Sequence, residues 1–324
     1  MEQATVLVTP RSFGLDDPEI FDLFKKAEIV VKRNNSGAVL SRADMQSQIQ
    51  DCIGVIVGID PLDEPIMAKA PYLRAIAKYG TGLDNIDLQA AKNRGIAVSN
   101  TIGANSDAVA DYTFALILSL ARQVPVIDAN CHQGNWKKLV TSDVHGKTLG
   151  LLGFGEIGKR VARRAQGFAM RVLVHDITWQ NSWEEQYGVH RADPDSIFEM
   201  SDFISLHMPL SAQTRQFVNS RRISRMKSSS FLINTARGEL VDEKALLEAL
   251  ISKRIAGAGI DTFQTEPPLC PEWYSLNNVI MGSHCAASTR EATRNMGRFA
   301  LKNLLLDLGM RTVVEQLQAA GDLL

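Results

Sequence analysis

Short apolar runs separated by amphipathic stretches recur along the whole chain, and their two periods predict strands alternating with helices. The run Thr5–Thr9, rich in β-branched residues and closed by Pro10, predicts a strand, and residues 18–26 predict a helix. Val55–Gly58, Leu73–Ala77 and Ala97–Ser99 continue the series, with Pro61, Pro65 and Pro71 punctuating the loops. A long helix is predicted over about Ser106–Arg122. Ala110, Phe114, Ile117, Leu118 and Ala121 share one face of it, and Asn105 or Ser106 can cap it. The polar stretch that follows, with Gly134-Asn135-Trp136, reads as loop or short helix.

A second alternating series then begins. Strands are predicted at Leu149–Leu152, Val172–His175, Phe203–Leu206, Phe231–Asn234, Gly257–Ile260 and Val279–Met281. Helices are predicted at Ile157–Gln166, Ile197–Met200, Glu243–Ser252 and Glu291–Leu308. The rhythm predicts an α/β fold with two doubly wound, Rossmann-like parallel sheets.

Composition narrows the class. At 324 residues the chain exceeds what one core usually holds, so two domains are expected. Hydrophobic residues make up 45% and charged residues 22%, and the net charge is −1, which points away from a general nucleic-acid or membrane-surface binder. Cys52, Cys131, Cys270 and Cys285 are widely spaced, so neither a zinc site nor a disulfide framework is expected. No signal peptide and no apolar run long enough to span a bilayer is seen, and a cytoplasmic location is expected.

The chemistry concentrates in the second series. Gly153-Phe154-Gly155-Glu156-Ile157-Gly158 follows a predicted strand and opens a predicted helix, and the next strand ends in Asp176, close to the spacing of about 20 residues expected for a dinucleotide fold. Gly153 permits a tight turn, Gly155 lets the backbone approach a pyrophosphate, and Gly158 permits close packing. The helix start offers N–H groups to phosphates. A carboxylate at Asp176 can accept ribose hydroxyls and would repel a 2′-phosphate, so NAD is expected over NADP.

Three more segments directly follow predicted strands: Asn234–Glu239, Asp261–Pro268 and Gly282–Ala287. In an open α/β sheet such positions face the ligand, so Arg237, Glu266 and His284 can converge. Keto-acid reduction needs a proton carrier near neutral pH, a carboxylate to orient it, and a cation to grip the substrate carboxylate. A single Arg after a strand is usually a surface charge and a lone His usually structural; the joint placement carries the argument.

These segments, with Val6–Pro10, the loop Lys78–Asp87, Asn105 and the following helix, and His207-Met208-Pro209-Leu210, resemble the D-2-hydroxyacid dehydrogenase family, especially its phosphoglycerate dehydrogenase-like members, over nearly the whole chain. The resemblance implies that Arg237 binds substrate, that His284 is the general acid/base and that Glu266 is its partner. It implies cofactor-lining positions at Thr81, Glu156, Ile157, His207, Met208, Pro209, Thr235, Ala236, Ala286 and Ala287, with Asp261 near the nicotinamide carboxamide. Gly80, Thr81 and Gly82 match a loop whose N–H groups hold the substrate carboxylate. The implied domains are 1–100 with 288–324 for substrate and 101–287 for NAD, with the active site in a cleft between them and a homodimer built through the 106–122 helix region.

The resemblance breaks at Val57–Leu62. Gly58 and Asp60 stand where several phosphoglycerate enzymes carry an arginine for the phosphate, and an anionic Asp60 opposes a phosphate. Arg11 and Lys78 are the cations that could replace it. Cys285 beside His284 reads as a small apolar filler. The chain stops at Leu324, so the regulatory domains of longer relatives are not expected. Candidate substrates are 3-phosphoglycerate, the hydroxypyruvate/glycerate pair and glyoxylate. Phosphite oxidation and an NAD-binding regulator are the other readings, and no metal, nucleic-acid or membrane partner is expected.

Overall fold

A computed structural model describes residues 4–323. The chain divides into two units, one formed by the residues up to Asn105 with those from Ser288 onward, the other by Ser106–Ala287. The second thus starts with the long predicted helix, observed as Ser106–Arg122, and not at residue 101.

In the first unit, β1 (Thr5–Val8), β2 (Val30–Arg33), β3 (Gly54–Val57), β4 (Ala75–Lys78) and β5 (Ala97–Ser99) form a parallel sheet in the order β2-β1-β3-β4-β5. Val6 pairs with Val31 on one side and Gly54 on the other. Strands β3 and β4 are buried on both faces, as central strands of a parallel sheet must be. One core gathers Val6, Ile20, Phe24 and Ile56 against Leu301, Leu304 and Leu305 of the helix Arg290–Asp307. The other packs Leu7, Val55 and Ile76 on Met45, Ile49 and Met67.

The second unit holds seven parallel strands: β6 (Thr148–Leu152), β7 (Arg171–His175), β8 (Val189–Arg191), β9 (Phe203–Leu206), β10 (Phe231–Asn234), β11 (Gly257–Ile260) and β12 (Val279–Met281). Their order is β12-β11-β10-β9-β6-β7-β8. The winding reverses beside β6, where β9 pairs on the side opposite β7, so the crevice at the carboxyl ends of β6 and β9 is the switch point at which such sheets bind ligands. Helices Ser106–Arg122 and Glu156–Gln166 pack Phe114, Ile117 and Val161 on one face, and helices Pro194–Met200 and Glu243–Ile251 pack Ile197, Leu246 and Leu250 on the other.

Two strands lack a sequence signal. In β2 (VVKR) no residue is fully buried, and in β8 (VHR) only Val189 is. Both are edge strands, where one side meets solvent and the apolar run disappears. The helix Val124–His132 buries none of its residues, so it shows no amphipathic period.

Candidate active site

The glycine turn forms at the end of β6. Gly153 has φ +100°, and a Cβ there would lie 2.5–2.6 Å from the His207 carbonyl carbon and oxygen. The turn therefore closes directly on the end of β9, and only glycine fits. A Cβ on Gly158 would lie 2.5 Å from the Gly153 carbonyl oxygen, so the helix start presses on the turn itself. Around Gly155, by contrast, nothing lies within 4 Å of an added Cβ. Gly155 is the N-cap of the helix Glu156–Gln166, and no side chain caps that first turn. An open space over uncapped N–H groups at a helix start fits a dinucleotide pyrophosphate. The Glu156 carboxylate turns to Arg160 (2.6 Å), so its contribution to such a site is its backbone, and Ile157 packs against the core.

Asp176 lies just past β7. Its Oδ2 accepts the Phe154 N–H (2.6 Å), and its Oδ1 accepts the Thr178 N–H (2.8 Å) and hydroxyl (3.0 Å). The carboxylate is thus locked onto the glycine turn, in position to accept ribose hydroxyls with its remaining lone pairs. At the end of β9, His207 Nε2 lies 2.9 Å from Ser205 Oγ. Burial pushes the His207 imidazole down to about 3, so the ring is neutral around pH 7. Met208 is buried in the core, and the exposed Pro209 accepts the Thr214 hydroxyl through its carbonyl (2.8 Å).

The catalytic candidates sit past the ends of three adjacent strands, β10, β11 and β12. Past β10, the buried Asn234 side chain accepts the Ala236 N–H (3.0 Å) and donates to the Arg237 carbonyl (2.8 Å), which sets the turn that presents Arg237. Thr235 meets Thr113 hydroxyl to hydroxyl at 3.2 Å. A Cβ on Gly238 would lie 2.1 Å from the Phe263 carbonyl carbon, so the loop after β11 rests on this turn at a distance only glycine allows. That loop carries Glu266, which accepts the Phe263 N–H (3.1 Å).

Glu266 faces His284: its Oε1 and Oε2 lie 3.1 and 3.0 Å from Nδ1. Burial works to raise the Glu266 carboxyl, but the His284 hydrogen bond and charge, the Phe263 N–H and the Arg237 charge outweigh it and hold the group below the usual carboxylate range. His284 adopts φ +57°, a left-handed conformation unusual for a residue with a side chain. Asp261 imposes it. The Asp261 carbonyl accepts the His284 N–H (2.8 Å), and its carboxylate accepts the N–H groups of Cys285 (3.0 Å) and Ala286 (2.9 Å). Asp261 is itself buried. Its observed work is thus to bracket the His284 turn, a role the sequence did not suggest. Cys285 is more polar in its contacts than a filler: Sγ lies 3.5 Å from the Tyr112 hydroxyl and 3.6 Å from Asp261 Oδ1. Ala286 is buried and Ala287 half-buried beyond it.

In the first unit the loop after β4 begins at Gly80, with φ +130°. The Gly80 N–H is donated to Thr101 Oγ1 (3.0 Å). Thr81, the last residue of the bend, is tied through its carbonyl to Asn100 (2.8 Å), and Gly82 follows it. Asp60 is buried. Its Oδ1 accepts the Leu40 N–H (2.8 Å), and Oδ2 accepts the Thr9 hydroxyl. Lys78 is buried too, its Nζ donating to the Gly58 carbonyl (2.5 Å) and Asn85 Oδ1 (2.6 Å). Arg11 donates to the Gly37 carbonyl (3.2 Å). Among the described residues no group of three His, Cys, Asp or Glu side chains is placed to hold a metal ion.

Known proteins resemble the chain over most of its length. Residues 114–286 match the family model of the D-isomer specific 2-hydroxyacid dehydrogenase NAD binding domain. A glyoxylate reductase of Korarchaeum cryptofilum is 39% identical over 266 residues, covering 80% of each chain. A hydroxypyruvate reductase of Thermotoga maritima is 41% identical over 250 residues, 76% of this chain and 81% of the relative. Among solved structures, a D-lactate dehydrogenase of Aquifex aeolicus, complexed with NAD and lactic acid, superposes with a TM-score of 0.81 at 28% identity, covering 97% of this chain and 98% of that one.

Proposed function

The chain belongs to the D-isomer specific 2-hydroxyacid dehydrogenase family, and from that premise we propose that its substrate is a small unphosphorylated 2-keto acid, glyoxylate or hydroxypyruvate, reduced to the 2-hydroxy acid. The enzyme is an NAD-dependent oxidoreductase. The cradle formed by Gly153, Gly155, Gly158 and Asp176 fits that cofactor, which when bound supplies the hydride.

The observation that carries the reading is the Glu266–His284 pair, formed past the ends of β11 and β12, the strands that follow β10 in the sheet order, with Arg237 past the end of β10. Because Glu266 takes Nδ1, Nε2 is the ring nitrogen left to pass a proton to the keto oxygen. The Glu266 carboxylate fixes the orientation of the ring. Arg237 is the proposed grip on the substrate carboxylate, where a guanidinium can bind two oxygens at once. Thr81 and Gly82 are proposed as further N–H donors to a carboxylate.

Two observations favour an unphosphorylated acid. Two of the relatives reported above are a glyoxylate reductase and a hydroxypyruvate reductase, and of the two cations that could meet a phosphate Lys78 is buried in bonds to Gly58 and Asn85 while Arg11 donates to the Gly37 carbonyl. NADH consumption with glyoxylate, hydroxypyruvate, pyruvate and phosphohydroxypyruvate tests this. Preference for the phosphorylated acid would overturn the proposal, and NADH binding without turnover of any acid would favour a regulator.

A homodimer is proposed as well. The apolar side of the helix Ser106–Arg122 is consumed within its own unit, whereas the segment after it exposes Val124, Trp136 (86%) and Val140 (99%). Exposed large apolar groups so close in sequence are consistent with an interface with a second copy. Light scattering on the parent and on Trp136→Ser tests this: a monomeric parent refutes it.

A further inference from the structure

The turn that carries Arg237 and the loop that carries Glu266 are tied together by a residue outside the trio. Glu243 lies in the first turn of the helix Glu243–Ile251, and its Oε1 accepts the Gln264 backbone N–H at 2.6 Å. The Gln264 side-chain amide donates to the Val241 carbonyl at 2.8 Å, so Gln264 is held twice by the segment that follows Arg237. Gln264 lies between Phe263, which donates to Glu266, and Glu266 itself. One carboxylate on a neighbouring helix therefore anchors the backbone on which Glu266 is hung.

Glu243 is half-buried. Burial raises its carboxyl above the usual range, and the charges of Glu239 and Glu266 add to this against the Gln264 N–H. Glu239, Glu266 and, past the loop, Cys270 are the titratable groups that feel it, while Arg237 and His284 act in turn on Glu266. Lys244, next in the helix, is exposed.

We propose that Glu243 is a positioning residue for the proton-transfer pair: its carboxylate holds the Glu266 loop in place through Gln264. This rests on His284 as the proton carrier. Glutamine in the same place keeps an acceptor for the Gln264 N–H and loses the charge; alanine loses both.

The test is steady-state keto-acid reduction by the parent, Glu243→Gln and Glu243→Ala, with KM, NADH affinity and a thermal melt measured on each preparation. Glu243→Ala is expected to lower kcat about tenfold with NADH affinity kept, and Glu243→Gln to recover most of that loss. Parental kcat in Glu243→Ala would overturn the proposal, as would a kcat in Glu243→Gln no better than in Glu243→Ala. Glu243→Asp, whose carboxylate is one methylene short of the Gln264 N–H, decides the question where the alanine variant fails to fold, and parental kcat there would overturn the proposal too. Parental turnover in His284→Ala would instead sink the proton-carrier reading, and would do so visibly apart from Glu243.

Discussion

Gly238→Ala is the sharpest perturbation of the contact between the Arg237 turn and the Glu266 loop. The new methyl would lie 2.1 Å from the Phe263 carbonyl carbon, 2.3 Å from the Gln264 nitrogen and 2.5 Å from the Phe263 oxygen, all backbone atoms that no rotamer change can clear. Carbon contacts settle at about 3.5–4.0 Å, so the two segments must part by more than about 1 Å. Overpacking of this kind costs about 1–3 kcal/mol, which in a unit of this size lowers Tm by roughly 2–4 °C per kcal/mol. The effect on rate is larger. Glu266 and, through it, the His284 ring move with the loop, and a misplacement of about 1 Å costs on the order of 100-fold in kcat. NADH affinity is expected to survive, because the cofactor cradle is built on β6 and β7. Steady-state kinetics, NADH fluorescence titration and a thermal melt on the same preparation separate the three effects. Parental kcat with a lowered Tm would refute the reasoning, since the contact would then carry stability and have no part in placing Glu266.

His284→Ala is expected to lose most turnover while still binding NADH; lost NADH binding would contradict its assigned role. Asp176→Ala should raise the ratio of NADPH to NADH efficiency, because the carboxylate that would repel a 2′-phosphate is gone, and an unchanged ratio would put the ribose contact elsewhere. The depressed His207 pKa predicts acid lability. The unfolded chain takes up a proton near the ordinary histidine value of about 6.5, while the folded ring resists until about 3. Stability should therefore be level above the first value and fall with pH between the two, by up to about 1.4 kcal/mol per pH unit. Urea unfolding across that window should show the slope in the parent and a flatter one in His207→Asn; equal slopes would assign it to other groups.

What the sequence made legible is what depends on local order. The strand, glycine turn, helix and acid of the cofactor site follow one another in the chain, and the three catalytic segments each announce themselves by following an apolar run. What it hid depends on long-range placement. Gly238 looks like any glycine after an arginine until the loop after β11 is laid on it. Asp261 and Glu243 reveal their work only through the backbone N–H groups they accept, on His284's neighbours and on Gln264. Strands β2 and β8 escaped because an edge position removes the apolar signature that burial would have written into them.

In the folded chain Asp60 does not act as a charge argument from the sequence supposes. Read from the sequence, its carboxylate opposes a phosphate through its field, which presumes that it faces the ligand. The structure turns it inward, where it accepts from Thr9 and Leu40, while Asn85 bonds its carbonyl at 2.6 Å and Lys78 seals against Gly58. The same Asn85 that braces Asp60 thus also consumes the Lys78 ammonium. The proposal of an unphosphorylated acid therefore rests on the relatives' names and the sequestered Lys78, and not on repulsion by Asp60. Replacing Asp60 with a neutral residue would loosen its loop without creating a phosphate site, whereas an arginine on the exposed neighbour Ile59 would offer a cation that this loop does not now present.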